Sequence, residues 1–257
     1  MKLNQIIDLQ SHPINETEFQ QQCRKELNDD GAIVLTRFLT AHALESIRAE
    51  GEAMKNLAYY TAQKHNIYIS DGDPEYCAEH IRNKLVVSTK GCLTDDQIGR
   101  RSVLRLLYDN LDFRSFLKSV LEEAELHPYA DDCSSINLHY ASEGQELGWH
   151  FDNSSFATTL LIQKPEDGGE FQYVRGVRDA ERGEMNFESA AKVVCGDVEP
   201  SKLAIEAGDL VLFRGKNAIH RVTPTIGKVT RMLAVLAFNN QPGIALSASA
   251  RKTFYGR

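Results

Sequence analysis

Trp149-His150-Phe151-Asp152 sets an imidazole and a carboxylate two residues apart, just after the glycine-containing run SEGQELG. In extended backbone, residues i and i+2 project to one side with Cα atoms roughly 6.5–7 Å apart, so the pair can converge on one metal ion. About half an HxD is expected by chance at this composition, so the pair alone is weak and His150 alone reads as structural. A firm metal site needs a third ligand. His220, in the loop-like run KNAIHRVTP after a strand pattern, is the candidate. Arg231 follows eleven residues later, inside the otherwise apolar run VTRMLAVLAF. A guanidinium in a buried strand is costly unless it meets an anion, and it can grip a carboxylate through two parallel hydrogen bonds. By itself Arg231 reads as half of a structural ion pair.

The order of these residues adds weight. HxD opens an antiparallel strand, then come a GGEF turn and strand, AGDLVLF, His220, and Arg231 on a further strand. Two histidines and one carboxylate on one face of a metal leave three coordination positions open, as in the non-haem Fe(II) oxygenases. In that company the anion expected at Arg231 is the distal carboxylate of 2-oxoglutarate.

The elements that must position these groups change character near residue 130. Before it, helical patterns dominate: 17–29, a helix with Thr40 as N-cap that runs through Met54 to about Lys64, and the apolar stripes of 102–110 and 113–123. A short buried strand is expected at 31–36 and a turn-rich loop at SDGDPEY, 70–76. After it, short β runs alternate with glycine-rich turns: 135–140, 156–163, 169–174, 202–206, 209–214 and 230–238. Closely spaced strands of this kind predict a sandwich, barrel or jelly roll, not a parallel βαβ sheet. Residues 176–199 read as a charged insertion with a short helix at 187–194, and Arg175, Arg178, Arg182 and Lys192 as its solvated face. The expected fold is α+β: a double-stranded β-helix (jelly roll, cupin-like) with N-terminal helices on one face. All 257 residues form one domain, with helical support over 1–130, the jelly-roll core over 131–245 and a C-terminal tail or lid over 246–257.

With 36 acidic and 29 basic side chains, a formal charge of −7 and 42% hydrophobic residues, the chain is ordinary for a globular protein. The acidic balance argues against nucleic acid and anionic membranes as partners. Its five cysteines are widely spaced without a CxxC pair, which fits a reducing compartment. Its first residues lack an apolar signal run, and no stretch reaches the length of a membrane span, so a cytoplasmic protein is expected.

The order HxD…H…R on a double-stranded β-helix resembles the Fe(II)/2-oxoglutarate-dependent oxygenases, and DGAIVLTRFLTAHALESIRAE resembles their N-terminal strand and helix. More narrowly, INLHYASEGQELGWHFDNSSFATTLLIQKPEDGGEFQYVRGVRD resembles the subgroup of radical amino-acid halogenases and their hydroxylase relatives, which act on free amino acids such as lysine and ornithine. The resemblance implies His150, Asp152 and His220 as iron ligands and Arg231 as the 2-oxoglutarate clamp. It further implies Fe(II), 2-oxoglutarate and O2 as the reactive set, with ascorbate supportive in vitro. In the halogenases a small residue replaces the metal-binding acid and leaves room for chloride. Here Asp152 fills that position, which implies hydroxylation of an unactivated C–H bond.

Further candidates lie around the motif. Tyr140 is a candidate 2-oxoglutarate contact, with a core aromatic role as the competing interpretation. Asn137 and His139 share the opposite face of the same strand. Asn153, Asn239, Glu143, Arg82 and Tyr255 are candidate substrate contacts, and Phe254 and Tyr255 could close over the substrate. The expected substrate is a free amino acid, a basic one first, with the oligomeric state open. Carrier-bound, peptidyl or other small-molecule substrates are the alternative, and a non-catalytic metal-binding β-barrel sensor is the alternative of another class.

Overall fold

The computed structural model describes residues 1–257, apart from the side chain of Ser249. The first helix, α1 (Thr17–Asp30), buries Cys23 and Leu27 and ends at Gly31, whose φ of 70° lets its N–H close back onto the Leu27 carbonyl. Strand β1 (Ala32–Leu35) follows. Helix α2 (Ala41–Met54) starts at Thr40, whose Oγ1 accepts from the Ala43 N–H at 3.2 Å. Gly51 lets this helix approach the sheet, because a Cβ there would lie 2.5 Å from Met232 Sδ.

The expected continuation of that helix to Lys64 is wrong. Backbone pairing wins over helical periodicity: Tyr59–Asn66 form β2, laddered along its whole length to β3 (Leu85–Leu93). The first half is therefore helical support plus a hairpin that belongs to the barrel. Helices α3 (Val103–Tyr108) and α4 (Leu111–Leu121) begin at Ser102 and Asn110, both of which cap with their side chains. The predicted stripe residues Leu104, Leu107, Phe116, Leu117, Val120 and Leu121 are all buried.

The remaining strands are β4 (Ile136–Ala141), β5 (Leu147–His150), β6 (Ala157–Gln163), β7 (Asp167–Gly168), β8 (Phe171–Val174), β9 (Ser201–Leu203), β10 (Leu210–Phe213), β11 (Ile219–Val222), β12 (Thr225–Ile226) and β13 (Arg231–Leu236). Helix α5 (Phe187–Cys195) lies in the insertion and α6 (Ala248–Tyr255) follows the last strand. Eleven strands join in the order β1-β10-β6-β13-β4-β3-β5-β11-β8-β9, with β2 on β3. Strand β3 is the seam of the jelly roll: Gly91–Leu93 pair with β4, whereas Ser88 pairs with Leu147 of β5.

The pleat divides β4 and β13 between two interiors. Leu138, Tyr140, Met232, Ala234 and Leu236 join the core formed with α1–α4. Asn137, His139 and Arg231 take the other face, into the barrel. Helix α5 covers the second sheet, where Ala190 and Val193 pack with Trp149, Phe151 and Ile219. All five cysteines are free. Among the described residues, no helix is long and apolar enough to cross a membrane.

Candidate metal centre

His150 is the last residue of β5, so HxD closes a strand instead of opening one. His220 lies on β11 and not in a loop, directly across the ladder from His150. Register alone thus brings the two rings to 4.2 Å between centroids. Just past the end of β5, the Asp152 N–H donates to the Gly215 carbonyl at 3.1 Å. Its Oδ1 then stands 3.5 Å from His220 Nε2 and 3.9 Å from His150 Nε2.

Each imidazole is fixed through its other nitrogen. Nδ1 of His150 lies 2.8 Å from the Gly148 carbonyl and Nδ1 of His220 lies 3.0 Å from the Ala218 carbonyl. A carbonyl can only accept, so Nδ1 carries the proton and Nε2 presents a lone pair to the shared space. Asp152 Oδ2 is buried without a hydrogen-bond partner. Burial pushes the His150 pKa down, and the neighbouring His220 adds to that, so the ring is neutral at physiological pH. For Asp152, burial pushes upward, but His220, His150 and Arg178 outweigh it and hold the carboxyl below the usual range. Two imidazoles and one carboxylate, with an orphaned oxygen on the latter, form a donor set that fits a divalent cation such as Fe(II). A second metal-competent cluster, Asp131, Asp132 and Cys133, is spent on local structure: Asp131 accepts from the Leu246 and Cys133 N–H groups.

Arg231 is buried, at 6% exposure, and among the described residues no carboxylate pairs with it. The structural ion pair is therefore absent. Burial alone lowers its pKa to about 10. Gly169 (φ 61°) clears its path, since a Cβ there would lie 2.9 Å from Arg231 Cδ. A buried guanidinium without a counter-ion in the protein is stabilised when an anion binds it.

A cavity of about 1000 Å³ opens beside His150, lined also by Thr61, Gln63, His65, Ser88, Lys90 and Asn153, and walled on one side by α6 through Ala250, Thr253 and Phe254. Of the predicted substrate contacts, Asn153 is on this wall. His139 faces the barrel interior beside Lys90. Asn137 is committed elsewhere: its Nδ2 donates to the Cys133 and Ile136 carbonyls, and its Oδ1 accepts from Tyr255 Oη at 3.0 Å. Tyr255 thus anchors α6, so the segment expected as a tail or lid is a seated helix. Arg257 strengthens this through a two-pronged ion pair with Asp96.

Five further expectations are corrected. Tyr140 points away from the barrel and donates to the Gly51 carbonyl at 2.7 Å, because the pleat gives it to the helical core. Asn239 sits in a backbone bridge with His127, and Glu143 is exposed in the β4–β5 turn. Arg82 pairs with Asp73 at 3.9 Å and lies over the Tyr68 ring, outside the cavity wall. Arg178, expected on a solvated face, is buried over Phe151 and donates to the Asp152 carbonyl at 3.2 Å. The residues that were missed, Thr61, Gln63, His65, Ser88 and Lys90, come from the β2–β3 hairpin. The run LVVSTKGCL carries a β-branched strand signal that locates Ser88 and Lys90, whereas Thr61, Gln63 and His65 depend on the ladder with it.

The fold and the triad define a class. A 2OG-Fe(II) oxygenase family oxidoreductase from Burkholderia pseudomallei superposes with a TM-score of 0.54 at 15% identity, covering 88% of this chain and 92% of that one. The α-ketoglutarate-dependent epimerase SnoN from nogalamycin biosynthesis gives 0.59 at 10% identity, covering 87% and 83%. A prolyl-4-hydroxylase from Pseudomonas putida gives 0.51 at 13% identity, covering 86% and 99%. No curated protein matches the chain in sequence. The family model described as halogenase D matches residues 15–253, and the chain belongs to that family of Fe(II)/2-oxoglutarate oxygenases. Fe(II), 2-oxoglutarate and O2 are the cofactor set of this class.

Proposed function

We propose that this protein is a cytoplasmic 2-oxoglutarate-dependent hydroxylase that oxidises an unactivated C–H bond of a free amino acid, with lysine and ornithine the first candidates. The observation that carries hydroxylation over halogenation is Asp152. Its carboxylate faces both imidazoles, at the place where the related halogenases leave room for a halide.

In this reading His150, Asp152 and His220 hold Fe(II), and Arg231 receives the distal carboxylate of 2-oxoglutarate. When bound, the metal supplies O2 activation coupled to oxidative decarboxylation of 2-oxoglutarate to succinate and CO2. The chain's own residues do the positioning. The Gly148 and Ala218 carbonyls fix the imidazole tautomers. Arg178 and Gly215 hold the backbone of Asp152. The barrel leaves Arg231 without a protein counter-ion, so its charge is available to the co-substrate. Asn153 offers a polar group at the substrate wall, α6 closes one side of the cavity, and Asp71 is the carboxylate on its lining that a side-chain ammonium could meet.

Succinate release in the presence of Fe(II), ascorbate and 2-oxoglutarate, measured across a panel of free amino acids, tests this reading. Stimulation by at least one amino acid is expected. If none raises turnover above the uncoupled background, the free-amino-acid assignment fails and the carrier-bound or peptidyl alternative takes its place.

A further inference from the structure

The cavity holds a cation that the metal and co-substrate assignments leave unused. Lys90 stands on β3 opposite Thr61 of β2 and lines the cavity beside His150. Its Nζ is 3.2 Å from Nε2 and 3.4 Å from Nδ1 of His139. Among the described residues no carboxylate lies within ion-pair distance of it. Burial lowers its pKa, an effect that Cys92 and Asp152 only temper. Burial, then the charges of Lys90 and Arg231, hold the His139 pKa well below 6.5, so this ring is neutral. A neutral imidazole accepts one of the three N–H bonds of an ammonium and leaves the others seeking an acceptor. A desolvated cation in this condition is stabilised by a bound anion.

Lys90 lines the cavity and Arg231 is not on that lining, which points to separate anions at the two cations. The two cations stand on β3 and β13, the strands on either side of β4. Their Cα atoms are thus about two strand spacings, roughly 9.6 Å, apart. Arg231 runs to Gly169, whereas Lys90 faces the cavity.

We propose that Lys90, oriented by His139, receives a carboxylate of the primary substrate, so that the enzyme selects molecules with a free anionic end such as the α-carboxylate of an amino acid. This rests on the Fe(II)/2-oxoglutarate reading above. Its test is calorimetric titration of the full-length protein, loaded anaerobically with Fe(II) and 2-oxoglutarate, with L-lysine, L-ornithine and L-leucine and with the carboxamide of each. Wild type is expected to bind at least one of the acids about tenfold more tightly than its carboxamide, the scale of a charge-assisted hydrogen bond. Lys90→Met should erase that ratio, and Lys90→Arg should retain part of it. Lys90→Gln replaces Lys90→Met if the latter does not fold. The affinity for 2-oxoglutarate, read from the visible absorbance that develops on its addition to the Fe(II) protein, should be unchanged in Lys90→Met.

A ratio that persists in Lys90→Met, a fall in 2-oxoglutarate affinity instead, or a wild type that binds none of the acids overturns the proposal. Absence of the absorbance change in the wild type overturns the oxygenase reading itself, and this proposal with it.

Discussion

Gly215 offers a sharp perturbation of the metal centre that leaves all three ligands in place. A Cβ at this position would lie 1.9 Å from Asp152 Oδ2 and 2.6 Å from its Cγ, against the 3.0 Å below which real Cβ contacts essentially never fall. The shortfall at Oδ2 is 3.0 − 1.9 = 1.1 Å. Gly215 does not have a positive φ, so alanine is compatible with the backbone and the strain falls on the carboxylate. Ligand distances tolerate only about 0.2 Å, so a shift near 1 Å takes Asp152 out of register with the imidazoles. Gly215→Ala is expected to weaken Fe(II) binding about 10–100-fold, the range for changes that disturb ligand orientation, or about 1.4–2.7 kcal/mol. Anaerobic titration of Fe(II) in the presence of 2-oxoglutarate measures this, and thermal denaturation of the metal-free protein reports the fold. Gly99→Ala is the control, since a Cβ there meets nothing within 4 Å. A folded Gly215→Ala protein that binds Fe(II) like the wild type would refute the placement of Asp152 as a ligand.

Three further outcomes follow from the same geometry. Arg231→Met should raise the 2-oxoglutarate concentration needed for half-maximal succinate release by about 100-fold, the loss of one charge-assisted bidentate contact, and should not lower the melting temperature of the metal-free protein, because the cation it removes is buried and unpaired. The His139 pKa is depressed in the folded state, so below about 6.5 the unfolded chain binds a proton that the folded chain does not. Metal-free stability attributable to this ring is therefore lost as pH falls, by at most about 1.4 kcal/mol per pH unit, and denaturant titrations should show a shallower acid loss in His139→Gln. Tyr255→Phe removes the Tyr255–Asn137 hydrogen bond and should cost about 1 kcal/mol locally, seen as faster proteolysis at Arg251 and Lys252 of α6.

The metal motif was legible in the sequence because its chemistry depends on residue type and on short spacing. HxD fixes two ligands within three residues, and an arginine in an apolar strand announces an anion. The strand placement of His220 was harder to see, since KNAIHRVTP contains turn-forming residues and its partner, β5, lies far away in sequence. The same difficulty hid the cavity wall. Ala58-Tyr59-Tyr60-Thr61 continues a helical pattern, and only the ladder with Leu85–Leu93 turns it into the strand that brings Thr61, Gln63 and His65 inward. Tyr140 failed for a different reason. Alternation separated it from His139 correctly, but which face looked into the barrel was set by helices α1–α4 covering the other. The charge of Arg178 and of its neighbours suggests a solvated face, whereas its burial depends on Phe151 and Lys216, remote in sequence.

Product mass analysis decides between the proposed hydroxylation and halogenation at the carboxylate-bearing triad, in a reaction containing Fe(II), 2-oxoglutarate, isotopically labelled O2, excess chloride and the amino-acid panel. Hydroxylation gives a product carrying one labelled oxygen and no chlorine, with that product diminished in Asp152→Ala. A chlorinated product from the wild type, or full hydroxylation by Asp152→Ala, would contradict the proposal.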